Sequence, residues 1–368
     1  MKLFIGQTFL AALAALLTVH CSYAQQQEVT VESVAEKAIE YLRTTGKADD
    51  GSYSSFAGPA VTALVTTAML QHGVPAADTD VAASLNYLKG FIQPDGGIYS
   101  PESVYKNYET SIALLCFAEA NADGQYDEIL KKAVQFTKNT QWGAGGRSVE
   151  ESDDRYGGFG YGKHERPDLS NTSYAIDALI KAGVDPESPE MQRALKFVSR
   201  SQNHESAHND LPNASKNPDG GFFYTPANGG ESKAESVSGG GLRSYGSMTY
   251  AGLKSLLYAG VNKDDSRVKA AVTWIQANYD LQANPGMGAE GLFYYYHVFA
   301  KALDAIGEDN CLDAEGESHD WRKELLDELS KRQASDGSWT NQGSDRWLEG
   351  DPNLVTAYAL LALKYCKK

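Results

Sequence analysis

One signature recurs six times along the chain and constrains everything else. A glycine next to an aromatic or apolar residue closes a turn at "DDGSYS" (from Asp49), "QPDGGIY" (Gln93), "RYGGFGY" (Arg155), "NPDGGFFY" (Asn217), the weaker "GMGAEGLFYYY" (Gly286) and "QASDGSW" (Gln333). Each turn is followed by a segment rich in Ala, Leu and Tyr, such as "GPAVTALVTTAML" or "NLVTAYALLAL". Each is preceded by a charged segment, such as "DSRVKAAVTWIQANY" or "DWRKELLDELSKRQ". Self-similarity at this scale is the mark of stacked structural repeats, in which each unit buries its apolar face on its neighbours.

Periodicity separates the two kinds of segment. In "DWRKELLDELSKRQ" the apolar Trp321, Leu325, Leu326 and Leu329 form one stripe on an otherwise solvated helix. "NLVTAYALLAL" is apolar nearly all round and must be buried on most sides. Six outer and six inner helices in alternation predict an all-α fold, an α/α toroid of six helical hairpins arranged as two concentric rings. The inner-to-outer links are mostly short, as in "VPAAD" and "VDPE", whereas the outer-to-inner links are long. The long loops and the N-termini of the inner helices therefore gather at one mouth. Loops of that length imply function, and the helix N-termini favour an anionic group there.

Export is expected. Residues 1–24 hold one lysine, an apolar run from Phe9 to Val19 and the small-x-small sequence Ser22-Tyr23-Ala24, the pattern of a signal peptide cleaved near Ala24. This leaves residues 25–368 as one toroid domain, secreted or periplasmic. Nothing after the leader approaches the length of a transmembrane helix. The net charge is −15, and removing the leader with its lysine makes it one unit more negative. That charge repels nucleic acid and anionic membrane faces. Cys116, Cys311 and Cys366 are too sparse for a disulfide framework or a metal cluster; Cys311 and Cys366 are the pair that export would allow to bridge.

Gln333-x-x-Asp336-Gly337-Ser338-Trp339 matches the QW motif of squalene and oxidosqualene cyclases, and Gln93-x-Asp95-Gly96-Gly97 is a looser copy. The chain resembles the terpenoid cyclase and protein prenyltransferase superfamily, whose toroid is this double ring. In the motif, Gln333 ends an outer helix and Trp339 is expected to pin neighbouring repeats. The resemblance also supplies a test of activity. Proton-initiated cyclases carry Asp-x-Asp-Asp after a Gly-Gly-Phe turn, and here that stretch reads Asp168-Leu169-Ser170-Asn171. Ser170 stands at the proton donor's position, and a hydroxyl cannot protonate an alkene. Glu151-Ser152-Asp153-Asp154 lies before the turn and reads as a solvated acidic loop. The prenyltransferase zinc set fares no better: His297 resembles its histidine, but "SYGSMTY" holds neither the Asp nor the Cys.

Other residues carry chemistry with a plainer reading beside it. "HESAH" matches the zincin pattern through His204 and His208, but its flanks are polar and contain Pro212, unlike a buried catalytic helix. His297 is either a core histidine or a cavity-lining base. Arg243 and Tyr245, at the mouth of the fourth inner helix, suit an anionic group or a loop ion pair with Glu231 or Glu235. Of the 21 tyrosines, Tyr108, Tyr174, Tyr250, Tyr295 and Tyr358 fall on inner helices, either facing a ligand or filling the core.

The sequence reading is a cyclase-like toroid binding a small or extended ligand (isoprenoid-like, peptide or saccharide) in its central cavity, with no cofactor. Asp168, His297 and Tyr250 are the catalytic candidates, and Asn171, Tyr174, Arg243, Tyr245 and Tyr295 the binding candidates. The alternatives are a cyclase, isomerase or lyase with a rebuilt site, and a structural interaction scaffold.

Overall fold

The computed structural model describes residues 29–145, 147–162, 166–235, 237 and 239–367. The expected leader lies outside them. Twelve helices alternate along the described chain. The outer six are α1 (Val31–Tyr41), α3 (Thr79–Lys89), α5 (Asp127–Asn139), α7 (Pro189–Arg200), α9 (Ser266–Ala277) and α11 (Trp321–Arg332). The inner six are α2 (Pro59–Gln71), α4 (Lys106–Glu119), α6 (Leu169–Lys181), α8 (Gly246–Tyr258), α10 (Leu292–Ile306) and α12 (Pro352–Leu363).

Each inner helix packs on the next, and α12 returns onto α2, so the inner ring is closed. Outer α1 also packs on inner α12, at the same joint. The division follows from the sequence. Eleven of the 13 residues of α2 are buried, whereas α5 buries only Ala133, Phe136 and Thr137.

The recurring turns explain how neighbouring hairpins are held. Gly51, Gly96, Gly157, Gly220 and Gly337 all have φ between +84° and +92°, a conformation open to glycine at little steric cost. Each lies flush against the backbone of the following outer helix: a Cβ on Gly157 would stand 1.8 Å from the Arg193 carbonyl oxygen, and one on Gly337 2.2 Å from that of Lys37. The residue that follows each turn donates its backbone N–H to an inner-helix threonine, as Phe159 does to Thr172 (3.0 Å) and Trp339 to Thr356 (3.1 Å).

Trp339 is fully buried, and its indole N–H donates to the Leu329 carbonyl of its own outer helix at 2.8 Å. Within this motif, the contacts across the closing joint come from Gly337 and from Gln333, whose amide donates to the Val34 carbonyl of α1 at 3.0 Å. The tryptophan therefore fastens its own hairpin and the glutamine fastens the neighbour.

The α10–α11 link is an exception to the short links at the far end. It carries a two-stranded hairpin, β1 (Cys311–Leu312) against β2 (Ser318–His319). Cys116, Cys311 and Cys366 are all free, buried thiols.

Candidate functional site

At the mouth, the N-terminal halves of the inner helices and the long loops enclose a cavity of about 280 Å³. Its floor is a connected set of tyrosines, one from each of four inner helices. Tyr108 meets Tyr174 edge-on at 5.7 Å, Tyr174 meets Tyr294 at 6.1 Å, and Tyr294 meets Tyr358 at 5.9 Å. Tyr161, Tyr224 and Tyr245 line its wall. Burial pushes the phenols up, Tyr108 to about 12 and Tyr174, Tyr245 and Tyr358 well above their ordinary value. They present neutral hydroxyls and ring faces rather than phenolates.

Ser170 lines this cavity, and its hydroxyl lies 3.1 Å from that of Tyr294. Asp168 caps α6 just beside it. One carboxylate oxygen accepts the Asn171 N–H (2.9 Å) and the other the Asn171 side-chain amide (2.8 Å). Burial raises Asp168 to about 6 against those hydrogen bonds. It faces an outer recess of about 480 Å³ bordered by Arg166, Tyr224, Lys233 and Trp347. There Glu231 pairs with both Arg166 and Lys233.

A carboxyl absent from the sequence reading completes the cavity. Glu349, 1 % exposed, accepts the N–H groups of Phe293 (3.0 Å) and Tyr294 (2.8 Å) at the start of α10, and the Asn341 amide (2.6 Å). Burial lifts it to about 7. Glu109 at the start of α4 is also raised by burial while held by Ser100 and Ser103. Trp347 and Leu348 stand over the mouth, both half-exposed and both at positive φ, 57° and 64°. Non-glycine residues in that region store strain, and they cluster at functional sites.

The remaining candidates are dispersed. Tyr174 and Tyr245 line the cavity, and Asn171 orients Asp168. Tyr250 and Tyr295 lie in the core, meeting at 5.6 Å and packing on Phe299, with the Tyr295 hydroxyl donating to the Asp280 carbonyl at 2.6 Å. His297 is buried below the tyrosine floor, against Tyr358. Arg243 borders neither the cavity nor the recess, and Glu231, one of its two expected loop partners, pairs with Arg166 instead. Asp168, Arg243 and His297 thus share no common wall.

His204 and His208 sit in an irregular loop rather than on a helix, with His204 3.3 Å from the Ser266 hydroxyl. Asp153 in the acidic stretch is clamped by Arg155 at 2.8 and 2.7 Å. Asp313, Glu317 and His319 approach one another on the β hairpin, where the His319 ring already bonds Glu324 (2.9 Å) and Asp313 (3.2 Å). Glu349 and Arg166 left little sequence signal, since each is one polar residue in a long polar loop; Tyr224 ends the "NPDGGFFY" signature, which marks a turn and not a cavity wall.

A closed double ring with a tyrosine-floored cavity at its loop-rich mouth defines an α/α toroid of the terpenoid-cyclase kind. The chain belongs to the squalene-hopene cyclase C-terminal domain family, whose profile matches residues 33–224. Comparison with curated proteins finds no match. Among solved structures, a variant of the type II terpene cyclase MstE from Scytonema, in complex with geranylgeranyl dihydroxybenzoate, is 13% identical. It aligns over 91% of this chain and 97% of its own, with a TM-score of 0.56. An α-amylase from Clostridium perfringens aligns over 92% and 98% at 12% identity and TM-score 0.56. A family 76 glycoside hydrolase from a bovine Bacteroides thetaiotaomicron strain aligns over 91% and 78% at 11% identity and TM-score 0.53. At such identities these likenesses speak for the fold alone.

Proposed function

We propose that residues 25–368 act as an exported, single-domain binding toroid that holds a small ligand, or the end of an extended one, in the mouth cavity. The observation that carries this reading is the lining. Neutral tyrosine faces surround an apolar body well, and their hydroxyls, with Ser170, offer hydrogen bonds to a polar end. Ser170 replaces the carboxyl that polyene protonation requires, and its neighbour Asp168 is occupied as a helix cap. Of the ligand classes the sequence allowed, the isoprenoid-like one matches this mixture best. The MstE neighbour, with its geranylgeranyl dihydroxybenzoate, is in keeping with that choice.

The test is native mass spectrometry of protein purified from its own host, expected to show a co-purifying small molecule that Tyr174→Ala loses. Incubation with squalene is expected to give no pentacyclic product; clear turnover would overturn the reading of Ser170. A second reading, an enzyme with a rebuilt site, is favoured by one observation: two buried carboxyls, Asp168 and Glu349, are raised to about 6 and about 7 near one mouth.

A further inference from the structure

Below the tyrosine floor the lumen continues into a second, much smaller chamber of about 30 Å³, bordered by Tyr174, Asp177, His297 and Lys301. That is room for one or two water-sized species. It adjoins a wider recess of about 500 Å³ that runs past Lys181 and Lys364, towards the end of the ring opposite the mouth. Tyr174 is the partition shared with the mouth cavity; Asp177, His297 and Lys301 border the chamber but not that cavity, and have no part in the proposed mouth site.

The charges here do not balance. Asp177 on α6 receives two ammonium groups on one oxygen, Lys254 of α8 at 2.6 Å and Lys301 of α10 at 2.7 Å. The side chains of Asp177 and Lys254 are each 2 % exposed and that of Lys301 12 %. Burial and the neighbouring Lys301 push Lys254 down to about 8, so at neutral pH both ammoniums are still charged, and two cations against one carboxylate leave one positive charge over in the axis of the ring. Carboxylates bordering the cluster are already engaged, Glu119 by Lys181 at 2.9 Å and Asp304 by Arg322 at 3.1 Å. The faces of Tyr258, 5.8 and 5.6 Å from the two ammoniums, soften the surplus without neutralising it.

The donors are also in excess. An ammonium carries three N–H groups and Asp177 takes one from each lysine, so four remain against two orphaned acceptors bordering the chamber, Asp177 Oδ1 and Gln71 Oε1. His297, itself more than nine-tenths buried, lines the chamber, and its Nδ1 has no hydrogen-bond partner among the described residues. Burial beside the two lysines pushes this imidazole down to about 3. It is therefore neutral and keeps one N–H to donate.

We propose that this chamber is a binding site for a small monovalent anion, a halide, held by the Lys301 ammonium with the neutral His297 ring as a second donor. A monovalent ion cancels the surplus charge, takes up spare N–H groups and fits the space, whereas sulfate or a long carboxylate does not. The site is structural: it neutralises a charge shared by three inner helices, and it does not depend on what occupies the mouth.

The test uses the whole protein in sodium chloride, sodium bromide or sodium gluconate at matched ionic strength. Chloride and bromide are expected to raise Tm by several degrees in a saturable way, with gluconate inert. Crystals grown in bromide should show an anomalous peak within hydrogen-bond distance of Lys301 Nζ. Lys254→Met leaves Asp177 and Lys301 as a balanced pair, so the variant should lose at least tenfold in halide affinity while keeping its helical circular dichroism. If that variant does not fold, the bromide peak in the wild type decides alone. Equal stability in gluconate and bromide, or a chamber holding only water in bromide crystals, would overturn the site. The second ammonium would then be balanced by the C-terminal dipoles of α8 and α10.

Discussion

Glu349 shows how a single residue can escape sequence reading and still shape a site. It stands in "RWLEGD" between two other acidic residues, and nothing in that spelling separates it from a solvated turn. Its burial is decided by a partner 55 residues away, the bare N-terminus of α10, whose Gly291 cap offers no side chain to the Tyr294 N–H. Asp168, Tyr174 and Tyr245 were legible because they belong to the starts of inner helices, where the repeat itself predicts a mouth. Depth along the lumen was not legible, so His297 could be placed on an inner helix but not below the tyrosine floor.

A pH signature follows for Glu349. Burial lifts its carboxyl to about 7 in the fold, against an ordinary value of 4.5. Between those values the unfolded chain has released this proton and the native one keeps it. Stability from Glu349 therefore falls as pH rises through that window and levels off above it. Glu349→Gln, which keeps the shape but cannot titrate, is expected to cost about 1–3 kcal/mol through its mismatched hydrogen bonds to Asn341 and α10. The gap in Tm between wild type and variant should shrink from pH 5 to pH 7. A gap independent of pH across that range would mean that the carboxyl titrates as it does in water.

At the scale of elements, the repeat is a set of four contacts more than a motif of letters. Gln141, Gln202 and Gln333 each donate to the carbonyl of a turn glycine and to a carbonyl near the start of the following outer helix. For Gln202 these are Gly220 (2.9 Å) and Arg267 (2.8 Å), and for Gln141 they are Gly157 (2.9 Å) and Glu190 (2.8 Å). The first two glutamines were not recognisable as copies, because loops of very different length separate them from their glycines. The glycines and the threonines Thr62, Thr110, Thr172, Thr249 and Thr356 kept constant surroundings, so the helical repeat remained readable. The "GMGAEG" repeat reads weakly for a physical reason: Asn284 takes over there, its side chain accepting the Ser247 N–H (2.9 Å) and donating to the Glu290 carbonyl (2.9 Å).

These contacts rank the variants. Trp339→Ala empties a fully buried site and is expected to cost about 3–5 kcal/mol, with the loss confined to the α11–α12 hairpin. Gln333→Ala gives up two hydrogen bonds, for about 1–2 kcal/mol. Gly337→Ala forces a positive φ and a clash with the Lys37 carbonyl, for about 3 kcal/mol. Urea titration of the three proteins, with hydrogen exchange on α1, separates the roles. Gln333→Ala and Gly337→Ala should loosen α1, and Trp339→Ala should not. Faster exchange of α1 in Trp339→Ala alone would return the closing role to the tryptophan.

The whole molecule differs from an open repeat array in having no ends. In an open solenoid each repeat touches only its neighbours, so stability is lost piecewise from a frayed terminus. Here α12 packs on α2 and α1 on α12, so the first and sixth hairpins are as enclosed as the third. Opening any one joint exposes the same kind of surface as opening another. The lumen couples the joints further, since the tyrosine floor draws on four inner helices and the Asp177 cluster ties α6, α8 and α10 together. Two expectations follow for urea unfolding. Far-UV circular dichroism and tryptophan fluorescence should trace one coincident transition. Gly157→Ala, at a joint in the middle of the chain, and Gly337→Ala, at the joint where its ends meet, should lower the midpoint by similar amounts with an unchanged slope. A Gly337→Ala protein that unfolds in two steps, with α1, α2 and α12 leaving first, would show that the ring behaves as a solenoid whose ends merely touch.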